Sequence, residues 1–77
     1  MKVKYDVLVE TGYDIIDEIP TYKSIKTYKG EHNEDNALAF ISDPKNLRKH
    51  GVMLLVKYDQ DGVQHEWNEN EGEWCKV

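Results

Sequence analysis

The chain opens on a strict alternation. Val3, Tyr5, Val7 and Val9 are separated by Lys4, Asp6 and Leu8. A period of two in β-branched and aromatic residues predicts a strand with one buried face. Residues 10–20, ETGYDIIDEIP, break the pattern: they hold four acids and no base, and Gly12 and Pro20 punctuate them. They read as a long loop with room for one helical turn, pinned to the domain by Ile15, Ile16 and Ile19. Residues 21–29, TYKSIKTYK, admit two readings. Tyr22, Ile25 and Tyr28 are three apart, as on a helix face, whereas Thr, Tyr and Ile are strand formers. We read a strand, whose Lys23, Lys26 and Lys29 would meet the acids of the loop before it.

The helical pattern is clearest from Asn33 to Pro44. Asn33 is a good N-cap, and Glu34 and Asp35 fall in the first turn, where the helix dipole favours acids. Ala37, Leu38, Phe40 and Ile41 supply an apolar face. Asp43-Pro44 ends this helix and starts a second, shorter one: Asp43 caps it and Pro44 takes its first position. Lys45, Arg48, Lys49 and His50 lie towards its end, and Gly51 stands just past it.

Residues 52–58, VMLLVKY, are apolar on both faces for most of their length, which marks a central strand or one whose second face meets a partner. Asp61-Gly62 signals a hairpin. A two- or four-residue turn there puts Val52, Leu54, Val56, Tyr58, Val63, His65 and Trp67 on one face, with Lys57 paired to Glu66 on the other. An even loop at Glu69–Gly72 then sets Trp67 opposite Trp74, with Gly72 free to take a positive φ.

The elements run strand, strand, helix, short helix, strand, strand, short strand. The expected fold is an α+β single domain over residues 1–77. An antiparallel sheet packs on one main helix, and Leu38, Phe40 and Ile41 meet Leu54 and Val56. Met53, Leu55 and Cys75 would line the second sheet face. Either the 10–20 loop covers that face, or Met53 and Leu55 form a self-association surface in a homodimer.

Composition narrows the function classes. The 77 residues are 39% hydrophobic and 32% charged, a globular mixture on the polar side. The net charge of −5 argues against a phosphate-backbone binder, whose affinity comes from a basic excess. A single cysteine, Cys75, allows no internal disulfide and fits a reducing compartment. No apolar run approaches the roughly 20 residues of a membrane span, and the alternating N-terminus does not resemble a signal peptide. A cytoplasmic location without membrane association follows as an expectation.

Candidate chemistry is sparse. His32, His50, His65 and Cys75 have no metal-ligand spacing. Residues 59–62, DQDG, resemble the start of a calcium loop, but the later oxygen ligands are missing. Cys75 and His65, the one nucleophile–base combination, fall on opposite faces of their hairpin. No glycine-rich phosphate loop is present. The chain is therefore expected to be neither an enzyme nor a cofactor protein. A basic cluster exists at Lys45, Arg48, Lys49 and His50. Joined to Lys23, Lys26 and Lys29 on one surface, with Tyr22 or Tyr28 stacking, it would make a weak nucleic-acid binder.

The acids are more distinctive. From Asp59 to Glu73 there are six and no Lys or Arg. Asp59, Asp61, Glu66, Glu69, Glu71 and Glu73 form the candidate partner-binding set. The expected function is a small non-catalytic protein-interaction domain. Its acidic surface would cover a basic groove on a protein partner, as an inhibitor or regulator of a nucleic-acid-processing protein does, a role suited to a phage or mobile element. A homo-oligomeric accessory protein is the alternative.

Overall fold

The N-terminal alternation becomes the longest pairing in the molecule. In the computed structural model, which describes residues 2–77, β1 (Lys4–Asp14) folds back on β2 (Ile19–Lys29). A 3-10 turn, Glu31–Asn33, leads to α1 (Glu34–Ser42) and α2 (Pro44–His50). β3 (Met53–Tyr58), β4 (Gln64–Asn68) and β5 (Glu73–Lys76) follow. The strands form one open antiparallel sheet in the order β2-β1-β3-β4-β5, so the apolar β3 is central. The fold is α+β, a sheet packed on one main helix, as the pattern predicts.

Helix α1 lies on one sheet face. Its Ala37 and Ile41 pack on Val3, Tyr5 and Val7 at the N-terminus and on Met53 and Leu55 of β3. Leu38, Phe40, Tyr28, Trp67 and Trp74 surround this core, and the Tyr28 and Phe40 rings meet edge-on at 6.4 Å. Fully burying one such side chain is worth about 1.5–3 kcal/mol. The second helix is capped as expected. The Asp43 carboxylate accepts the Lys45 N–H at 2.9 Å, and the Gly51 N–H donates to the Leu47 carbonyl at 2.8 Å. Asn33 behaves differently. Its side chain donates to the Lys29 carbonyl at 2.7 Å and accepts from Asn36 at 2.9 Å, so it ties β2 to α1 instead of capping the helix.

The parity of the β3–β4 hairpin departs from expectation. Val56 pairs with Glu66, Lys57 with His65 and Tyr58 with Gln64. The connection is a three-residue loop, Gln60–Gly62, closed by the Asp59 N–H donating to the Val63 carbonyl at 3.0 Å. Gly62, at φ 80°, takes the left-handed position that follows a tight turn in such loops. The Asp59 carboxylate stabilises the odd length by accepting the N–H groups of Asp61 and Val63, both at 2.9 Å. An odd loop exchanges the faces of β3 relative to β4. Met53 and Leu55, 7% and 1% exposed, therefore meet the helix in place of Leu54 and Val56. They belong to the core and offer no self-association surface. Val56 is buried on the opposite face, between its register partners Asp6 and Glu66. Lys57 turns to the helix side, with its ammonium 4.8 Å from the centre of the Trp74 ring.

Residues 10–20 are not a loop. Asp14 starts a four-residue turn, its carboxylate accepting the N–H groups of Ile16 at 2.9 Å and Asp17 at 3.2 Å, and Ile19 begins the return strand. β1 pairs with β3 only from Lys4 to Val9. Beyond Val9 the two strands continue alone as a ribbon that projects past the rest of the sheet. Ile15 and Ile16 stand at its tip, 83% and 92% exposed, and pin nothing. The radius of gyration, 12.8 Å, exceeds the roughly 11.5 Å of a compact chain of this length, as a projecting ribbon requires.

Candidate interaction surfaces

The antiparallel sheet divides the six candidate acids between its two ends. Lys4 pairs with Tyr58, and Val9 pairs with Met53. The Asp59–Gly62 turn thus stands at the end where β1 begins. The Glu69–Gly72 turn stands at the other end, where the ribbon departs. Glu66 and Glu73 point to the face away from α1, since the residues that follow them, Trp67 and Trp74, face the helix. No single surface holds all six.

Asp59 and Asp61 acquire new neighbours. With Glu31, Glu34, Tyr5, Lys57, Gln60 and Val3 they line an open cleft of about 540 Å³. Glu31 and Glu34 come from the segment that starts α1, where each is also what a helix N-terminus prefers. That double use hides them in the sequence. The Gln60 amide donates to Glu31 at 3.3 Å and bridges the two sides of the cleft. The Glu34 carboxylate accepts the Trp74 indole N–H at 2.9 Å and lies 3.5 Å from the Tyr5 hydroxyl. It fixes the rim by tying α1 to β5 and β1. Burial, with Glu34 and Glu31 close by, pushes the Tyr5 phenol up to about 12. The phenol therefore stays protonated at neutral pH and serves as a hydrogen-bond donor to Glu34. The Asp59 carboxyl is held below its ordinary range by its hydrogen bond to His65, then by the Val63 N–H. His65 Nε2 lies 3.1 Å from Asp59 Oδ2. The cleft is an array of carboxylate acceptors around one lysine, suited to guanidinium or ammonium donors.

The other turn is built differently. The Asn68 side chain accepts the N–H groups of Asn70 at 3.0 Å and Glu71 at 3.2 Å, and Gly72 takes φ 66°. Glu69, Glu71 and Glu73 project from it into solvent. The four-residue loop pairs Trp67 with Trp74 as expected, their rings edge-on at 5.2 Å against the core.

The bases do not gather. Lys23, Lys26 and Lys29 are strung along β2, so Lys23 and Lys29 are roughly 20 Å apart at about 3.3 Å per residue. The bases of α2 lie at the corner that leads into Met53. Lys23, Lys26 and Lys29 also make no ion pair with the acids of residues 10–18. Among the described residues the ion pairs are Lys4–Asp6 and His65–Asp59. Cys75 is exposed opposite Glu66, on the other face from His65. Among the described residues no three His, Cys, Asp or Glu side chains are grouped to hold a metal ion, and no helix is long and apolar enough to cross a membrane.

The chain matches no family model, no curated protein and no solved structure.

Proposed function

We propose that the protein is a non-catalytic interaction domain that uses its acidic surface to engage a basic protein partner, as an inhibitor or regulator of a nucleic-acid-processing protein. The observation that carries this reading is the convergence of Asp59 and Asp61 with Glu31 and Glu34 around one cleft. Thirteen of the fifteen acids have no ion-pair partner among the described residues, which leaves their charge for an external cation. Proteins that grip phosphate backbones present clustered Lys and Arg, the chemistry these carboxylates accept. The Glu69–Glu73 turn offers a second acidic contact at the other end.

Two charge-neutralised variants test the reading. One carries Glu31→Gln and Asp61→Asn, and the other carries Glu69→Gln, Glu71→Gln and Glu73→Gln. All these side chains lie outside the core. The wild type is expected to retain nucleic-acid-binding proteins from a lysate, to release them to heparin, and to lose them in the first variant. Capture unchanged in both variants removes the proposal.

A further inference from the structure

Among the described residues, eight large apolar side chains are exposed, and seven of them stand at one end of the molecule. Tyr13, Ile15, Ile16, Ile19 and Tyr22 lie on the ribbon. Leu47 and Val52, 43% and 90% exposed, lie at the corner between α2 and β3. Each group carries charge of one sign. Residues 10–18 hold Glu10, Asp14, Asp17 and Glu18 and no base, and residues 45–50 hold Lys45, Arg48, Lys49 and His50 and no acid. Among the described residues no acid forms an ion pair with Arg48 or Lys49, and no base pairs with Asp17 or Glu18. The basic corner lies at the root of the acidic ribbon, and among the described residues the two charge sets form no ion pair with each other.

We infer that the partner of this end is a second copy of the chain: the acidic ribbon tip of each protomer docks on the basic α2–β3 corner of the other. The geometry allows both contacts at once. Met53 pairs with Val9, so the corner lies at the ribbon's root. Residues 10–14 carry the tip roughly 17 Å beyond that root, at about 3.3 Å per residue. A two-fold axis that lays two ribbons side by side in opposite directions brings each tip to the other's root, a self-complementary arrangement. The contact is made by side chains and not by strand addition. The free edge of β2 is blunted by Pro20, which has no N–H to offer, and by Lys23, Lys26 and Lys29. Ile15, Ile16 and Tyr13 supply the apolar anchor against Leu47 and Val52. The charges align it and exclude the reversed pairing. This inference is independent of the acidic cleft, which lies at the opposite end of the sheet.

Charge exchange tests it. The tip variant carries Asp17→Lys and Glu18→Lys. The corner variant carries Arg48→Glu and Lys49→Glu. Asp14 is kept because it holds the turn. Sedimentation equilibrium at high micromolar concentration is expected to show the wild type as a dimer that weakens as salt is raised. Each variant alone is expected to dimerise at least about tenfold more weakly, because like charges then face each other. An equimolar mixture of the two variants restores the dimer, since both contacts in the mixed pair are again of opposite sign. Circular dichroism verifies that each variant is folded. A monomeric wild type, variants that dimerise like the wild type, or folded variants whose mixture stays monomeric would each overturn the inference.

Discussion

The Asp59 carboxylate accepts two backbone N–H groups and faces His65 at 3.1 Å. Through the first two contacts it stabilises a three-residue loop. Through the third its ionised form is favoured, and its carboxyl titrates below the ordinary 3.8. A depressed value means that the folded state binds the proton less tightly than the unfolded chain. The stability this gives is complete above the unfolded value and is lost as pH falls through the lower, folded one. Asp59→Asn keeps an acceptor for the backbone but removes the charge. As pH falls through and below the ordinary carboxylate range, the urea midpoint of the wild type should therefore fall more steeply than that of the variant. Parallel curves would mean that the fold does not hold this charge. Asp59 also marks what a sequence conceals at this scale. Asp-Gly announced a turn, but the turn's odd length depends on a carboxylate two residues earlier that reaches forward along its own backbone.

At the scale of elements, both helices, the central strand and the tryptophan pair were legible because caps, periodicity and turn residues agreed with one another. The β3–β4 pairing differs from the expected one by a single residue of register. β3 is apolar on both faces, so its own sequence does not say which face meets α1. Only the loop to β4 carries that information, and a shift of one residue exchanges Leu54 with Leu55. Mutation separates the two assignments. Leu55→Ala opens a cavity beneath α1 and should cost about 2–5 kcal/mol by urea denaturation. Leu54 is half-buried on the other face, beside Leu8, and Leu54→Ala should cost clearly less. The reverse order would restore an even turn of two or four residues. The 10–20 stretch reads as a loop for a different reason. Acids and exposed isoleucines suit neither a buried strand nor a solvated loop, and a ribbon of two strands without a third leaves no face to alternate against. Its turn nonetheless repeats that of the β4–β5 hairpin. Asp14 and Asn68 each accept two N–H groups, and Glu18 at φ 56° stands where Gly72 stands at φ 66°.

Over the whole molecule the net charge of −5 was plain, but its distribution was not. A run of acids from Asp59 to Glu73 looks continuous along the chain, yet one strand passes through its middle and carries its halves to opposite ends. Folding also brings Glu31 and Glu34 to one half, and sets the basic corner beside the acidic ribbon. The apolar side chains follow the same logic. In so small a domain each isoleucine given to solvent is one withheld from the core. If Ile15 and Ile16 served the fold, their removal would weaken it. They are almost fully exposed, so Ile15→Ser with Ile16→Ser should move the unfolding free energy of dilute, monomeric protein by no more than about 0.5 kcal/mol. The same substitutions should abolish association at high concentration. A large loss of stability in the dilute monomer would instead show that the tip folds back on the domain, and the ribbon would then belong to the core and not to an interface.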